Sequence, residues 1–516
     1  VAISRVSPEA VTSPVFRIKG QRSRWRYPNE KVPPEYCEIL KNVNLSERGT
    51  PMSRYGYEKY NSTILPSGEI PVGLWQGTFS GGSVRNVVVT KTKIYSDDGT
   101  TRTDITGSNL TGGNDDRIRF AFIKDQLLLN PAVGATRVWD GDITTPGTTA
   151  DLSGILWSRC TDLMVHNNLV LVMNTTESGV EYPTRIRWCD INRETFEVDI
   201  TNWPIINRYE IYDGGPRIIG GVDSWGKALI FKADGLYPGE ITFDEEGHYT
   251  FVLDKPRRGF SPISTHSIIA RPEFVFGAAR EGLFTFDENL QFFLVNTDDV
   301  TTWLELNKSR LQYAQSFIRE DEHQVRVLCS SSTNTTGHDA VLVWDWESGD
   351  TWIDYPEDVI NCGQRIVISN SEYDWFGGYG RYLYKGNDSS YSDDAGSGFN
   401  WRIKMHANDL GLPGKAKHVL NVRTLYRHRI DSDTVSLEVS IDAGQQGSVS
   451  DTISIKPQYA WNTGLSWNSG IKWPGGSVLY TDTWVNRVCE TITPDWQSSN
   501  PATIEGYQVE YILLEP

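Results

Sequence analysis

The chain has 516 residues, too many for one ordinary core, which predicts two to four domains unless the fold is a repeat array. A charged fraction of 22% excludes a disordered chain, and a net charge of −17 argues against a protein that grips duplex DNA by its phosphates. With 18 Trp, 23 Tyr, 46 Gly, 24 Pro and few runs at helical spacing, the class is all-β, because aromatic and β-branched residues suit pleated, half-buried surfaces.

Residues 1–36 read as an extended basic arm. Arg5, Arg17, Lys19, Arg22, Arg24 and Arg26 face one acid, Glu9, before Glu30, and Pro8, Pro14, Pro28, Pro33 and Pro34 oppose regular structure. Such an arm can dock onto an acidic neighbour or onto DNA through Arg17, Lys19, Arg22, Arg24 and Arg26. Alternatively it packs on its own domain with solvated arginines. Residues 38–43 then read as a strand entering a turn region that Gly49, Pro51 and Gly56 punctuate.

This stretch carries a resemblance. Asn42, Val43, Leu45, Ser46, Arg48, Gly49, Arg54, Tyr55, Gly56 and Tyr57 are followed by Thr103-Asp104-Ile105-Thr106-Gly107, by residues 117–130 (RIRFAFIKDQLLLN) and by Arg137-Val138-Trp139-Asp140-Gly141. In that order, over about the first third of the chain, they resemble the β-propeller tail nozzles of short-tailed bacteriophages, also called tail tubular protein B or packaged-DNA stabilisation proteins. The resemblance weakens after about residue 290. It implies a structural virion protein of the phage tail, made in the host cytoplasm. Six copies would form a ring below the portal and its adaptor, the head-to-tail connector. The ring would retain packaged double-stranded DNA and conduct it at ejection, without sequence-specific binding. The other implied partners are tail fibre or tail needle proteins, with no cofactor and no catalysis.

From about residue 70 to 395 a pattern repeats. Aromatic markers at 95, 139, 188, 237, 284, 344 and 384 are separated by 44, 49, 49, 47, 60 and 40 residues. That period fits a four-stranded propeller blade. Apolar runs precede the markers, at residues 126–129, 169–173, 228–231, 274–276 and 325–328, as strands buried on both faces require. The expected architecture is a β-propeller of about six four-stranded blades over residues 37–395. The alternative is a set of separate sandwiches. The Trp-Asp pairs at 139 and 344 lack a Gly-His pair at the spacing of a WD40 repeat, and residues 348–352 lack the Gly that a sialidase Asp-box carries between its Asp and Trp. A polar linker at 386–397 leads to residues 396–516, where long alternating strands predict a C-terminal β-sandwich or barrel.

No chemistry is legible. The six cysteines, at 37, 160, 189, 329, 362 and 489, are scattered and read as buried free thiols. The eight histidines show no metal-binding spacing, and there is no phosphate-binding loop. Acid pairs such as Asp115-Asp116, Asp298-Asp299 and Asp393-Asp394 do not by themselves make a glycosidase, and Asp97-Asp98 and Asp388 lack a calcium-loop pattern. Neither an enzyme nor a metal site is therefore expected. No apolar run approaches the roughly 18 residues that span a bilayer, so no membrane insertion is expected, and the N-terminus lacks the apolar core of a signal peptide. The alternative function is a carbohydrate-binding or carbohydrate-active propeller that stacks sugars on Trp and Tyr. A cellular scaffold propeller is a third reading.

Overall fold

The computed structural model describes residues 10–18, 35–45, 51–192, 194–195, 197–213, 215–243, 248–295, 303, 306–386, 390–391, 393–427, 433–455 and 479–514. Among these, seven antiparallel four-stranded meanders follow one another around an axis. Blade 1 is Pro71–Thr78, Val84–Thr90, Ile94–Asp97 and Arg102–Asp104, and blade 2 is Arg119–Ile123, Gln126–Asn130, Arg137–Trp139 and Ala150–Asp151. Blade 3 is Arg159–His166, Leu169–Glu177, Val180–Trp188 and Arg208–Glu210, and blade 4 is Ile218–Ser224, Lys227–Lys232, Gly235–Phe243 and Tyr249–Leu253. Blade 5 is Ile269–Ala270, Val275–Ala278, Leu283–Phe286 and Phe292–Leu294, and blade 6 is Gln315–Arg319, Gln324–Cys329, Ala340–Asp345 and Thr351–Asp354. Blade 7 takes Ile360–Ile368, Ser371–Gly378 and Leu383–Gly386 from the end of the ring, and its outer strand, Tyr57–Lys59, from before the beginning. The expected propeller is present, with seven blades rather than about six.

Each blade is a stack of packing layers. The apolar runs read from sequence form the second strands and the aromatic markers lie on the third. These two strands are central in their sheet, so both faces pack on neighbouring blades. Leu127, Leu128 and Leu129 are buried, as are Val170, Leu171 and Val172. Blades 1 and 2 share a core of Val87, Val89, Leu127 and Trp139, and blades 5 and 6 share Phe276, Val325 and Val327. The ring closes where Leu74 and Val88 of blade 1 pack with Ile366, Trp375 and Leu383 of blade 7. In blades 2, 3, 4 and 7 a two-residue turn links the first strand to the second. At Asn167-Asn168 both residues have positive φ, 49° and 60°, the geometry whose twist matches the flanking strands and which Asn tolerates.

The C-terminal strands form a sandwich. One sheet runs Leu479–Cys489, Lys417–Tyr426, Ile504–Leu513, with Val11–Thr12 and Phe16–Arg17 added to its far edge. The other runs Ser448–Ile455, Asp433–Ile441, Ile492–Ser498, Trp401–Met405, Cys37–Lys41. Alternate residues of both sheets face one core, with Val419, Val422, Leu437, Val439, Trp496 and Tyr507 at its centre. The boundaries expected at 36 and 395 are crossed by these pairings. The propeller's own strands begin at Tyr57, not at residue 37, because Cys37–Lys41 bonds to Trp401–Met405 and completes the sandwich. Lys41 also pairs with Ile353, in parallel, which makes blade 6 and the second sandwich sheet continuous.

Candidate functional site

A densely bonded site lies at the junction of the two units. At Asn42 the chain leaves the sandwich with φ 53°. This left-handed conformation suits Asn, and both ends of its amide are used. Its Nδ2 donates to the Asn400 carbonyl at 2.7 Å, and its Oδ1 accepts from the Tyr355 N–H at 2.6 Å and from Arg54 Nε at 3.0 Å. Arg54 Nη1 donates to Asp394 Oδ1 at 2.7 Å, Nη2 donates to the other carboxylate oxygen, and the guanidinium lies 3.8 Å from the Phe399 ring centroid. Both charges are buried. Burial pushes the Asp394 carboxyl up, against the pull of Arg54. Two residues on, a side chain at Gly56 would meet the Asp393 carbonyl oxygen at 1.8 Å, so the backbones touch only because this residue is Gly.

A second ionic cluster joins blades 6 and 7. Asp374 accepts from Arg319 Nη1 at 3.0 Å and from Arg326 Nη1 at 2.6 Å. Asp354 lies 3.9 Å from Arg326, and one of its buried oxygens has no hydrogen-bond partner among the described residues. Burial pushes its carboxyl up to about 6, with Arg326 and Arg54 pulling the other way.

Side chains also link the ends of blades 6, 7, 1 and 2. Asn361, on the first strand of blade 7, donates to the carbonyls of Pro71 at 2.6 Å and Asn114 at 2.8 Å, on the approaches to blades 1 and 2. Arg117 donates to Asn361 Oδ1 at 3.1 Å and approaches His338 Nε2 at 3.3 Å. Arg117 can only donate, so that nitrogen accepts and His338 is neutral. Burial, then Arg117 and Arg310, hold its pKa well below the usual value. Arg310, at the start of blade 6, forks onto Asp115 at 2.6 and 3.2 Å.

Two cavities on opposite faces of the ring differ in charge. On the upper face, where first strands begin and second strands turn into third, a cavity of about 830 Å³ is lined by Arg217, Arg280 and Lys308. On the opposite face, a cavity of about 450 Å³ beside blade 6 is lined by Asp321, Glu322, Asp345, Glu347 and Asp350. Among the described residues no group of three or more His, Cys, Asp or Glu could hold a metal ion. Asp98, an acid of interest in the sequence, accepts from the N–H groups of Thr100 and Thr101 at 2.9 and 2.6 Å and so holds its own turn. Asp388, Asp298 and Asp299 lie outside the described residues. All six cysteines are free and buried. Burial pushes the thiols of Cys160, Cys189, Cys329 and Cys362 up to about 12, which keeps them protonated near neutrality.

Of the residues read as a docking arm, Arg17 is exposed on a two-residue strand paired with Ile504–Leu513. Lys19, Arg22, Arg24 and Arg26 lie outside the described residues. Sequence reading missed the three cavity cations, which belong to three blades and share no local pattern. It also missed the Arg54–Asp394 pair, 340 positions apart.

No family model matches the chain, and no curated protein matches its sequence. Among solved structures it is similar to the WD40 domain of Neurospora crassa Pan2, with a TM-score of 0.40 and 12% identity over 66% of this chain and 95% of that one. It is also similar to the WD40 β-propeller domain of Doa1, with a TM-score of 0.38 and 11% identity over 65% of this chain and 98% of that one. At such identities the likeness is one of fold alone. The order of the sheets defines the class: a β-propeller joined to a β-sandwich.

Proposed function

We propose that the chain is a structural protein of a short-tailed phage particle, the nozzle of its tail. A ring of copies, six by resemblance, would sit below the portal adaptor, hold the packaged genome and pass it outward. The observation that carries this reading is the ordered set of motifs from Asn42 onward. Support comes from what those residues do here. Asn42, Arg54 and Gly56 hold the junction of propeller and sandwich, and Tyr57 opens the strand that closes the ring, mechanical roles suited to a load-bearing assembly part.

In such a ring a duplex would pass through the opening that the copies enclose. A net charge of −17 per copy would repel phosphate from that wall and let DNA slide. Arg17, with Lys19, Arg22, Arg24 and Arg26, is assigned to docking on the adaptor or a neighbouring copy. Trp139, Trp188, Trp352, Trp375, Trp401 and Trp496 are buried in cores, so the carbohydrate alternative would have to use exposed aromatics such as Trp484, Tyr480 and Tyr212. Cryo-electron microscopy of particles that carry this chain tests the proposal. A ring of this fold below the adaptor is expected, and its absence from the tail would overturn the reading.

A further inference from the structure

The upper-face cavity combines features that point to a ligand. Its walls carry Arg217, Arg280 and Lys308, and among the described residues no carboxylate lines it. In a chain with 66 acidic residues against 49 basic ones, that segregation runs against the composition. None of the three cations forms an ion pair with a described carboxylate. Lys308 donates one ammonium proton to the Trp303 carbonyl and sits 4.6 Å from the Trp303 ring centroid. The Trp303 indole N–H in turn donates to the Arg280 carbonyl at 3.2 Å, so one residue ties two of the cations to the wall. The floor is apolar, formed by Ile219, Ile263 and Leu311. A volume of about 830 Å³ lies within the range of small-molecule sites.

Charge balance selects the ligand class. Three cations around one opening match a group carrying two or three negative charges, and a single carboxylate would leave most of the field unanswered. Guanidinium forks and an ammonium are the usual partners of phosphate oxygens. We propose that this cavity binds a phosphorylated small molecule, with its phosphate among Arg217, Arg280 and Lys308 and its organic body against Ile219, Ile263 and Leu311. Lys308 is solvent-exposed in the cavity wall, and partial desolvation lowers its ammonium to about 8. The inference is independent of the nozzle reading and stands or falls without it.

The test is isothermal titration calorimetry on the full chain at fixed ionic strength, with pyrophosphate, AMP and glucose 6-phosphate as probes and citrate as a non-phosphate trianion. At least one phosphate probe is expected to bind more tightly than citrate. Arg217→Ala and Arg280→Ala are each expected to weaken it at least tenfold, while Arg365→Ala, on the first strand of blade 7, leaves it unchanged. Arg217 and Arg280 are exposed, so these variants fold, and unchanged thermal midpoints check it. No binding of any phosphate probe, binding indifferent to both substitutions, or citrate binding as tightly as pyrophosphate would each overturn the assignment.

Discussion

At the scale of residues, the junction depends on charges that have left water. Removing one partner of a buried ion pair leaves the other uncompensated, at a cost of about 3–5 kcal/mol. Arg54→Ala is therefore expected to lower the free energy of unfolding by about that amount, read by chemical denaturation. Arg54→Lys should fall between, because an ammonium cannot serve Asn42 and both Asp394 oxygens at once. Asp354 behaves in the opposite sense. Its carboxyl moves from an ordinary 3.8 to about 6 on folding. Between those values the native state holds the proton and the unfolded state does not, so stability falls as pH rises through the window. Above it, a shift of about 2 units corresponds to about 3 kcal/mol. Asp354→Asn should thus stabilise the protein by up to about 3 kcal/mol at pH 8 and match the native chain below pH 4. Equal stabilities at pH 8 would mean that Arg326 fully offsets the burial of Asp354.

At the scale of elements, the ring is closed by a borrowed strand. Tyr57–Lys59 pairs with Leu383–Gly386 from the far end of the ring. The Tyr60 N–H bonds to the Leu383 carbonyl at 2.8 Å, so Glu58, two residues back and opposite Lys385, is in the same hydrogen-bonding phase. Glu58→Pro removes that donor and is expected to cost about 3 kcal/mol, whereas Glu58→Ala, which loses only an exposed pair with Lys385, should cost less than about 1 kcal/mol. A proline tolerated as well as the alanine would show that this strand does not hold the ring shut. The elements themselves were largely legible in sequence. Every aromatic marker falls on a third strand and every apolar run on a second, because central strands must be apolar on both faces. The outer strands were not legible. Arg102–Asp104 and Ala150–Asp151 are short and solvated and carry no period. Nothing local to Tyr57–Lys59 says that it completes a blade, although the seven markers already number the seven blades. The site was hidden for a related reason. Arg217, Arg280 and Lys308 converge only once three blades stand side by side.

At the scale of the molecule, propeller and sandwich are interlocked. The N-terminal strands Val11–Thr12, Phe16–Arg17 and Cys37–Lys41 complete the sandwich, and the next, Tyr57–Lys59, completes the propeller. A protease site placed in the linker at 387–392 should therefore yield two fragments that co-elute on size exclusion under native conditions. Their separation would contradict the interlock. The proposed place in a phage tail rests on the ordered motifs from Asn42 onward, and an interlocked pair of units would suit a part that holds under load. Mass spectrometry of purified phage particles from the culture that carries this gene tests that claim most directly. The account predicts that the chain is present at several copies per particle, at a fixed ratio to the portal protein. Particles that contain portal and adaptor but lack this chain would contradict it.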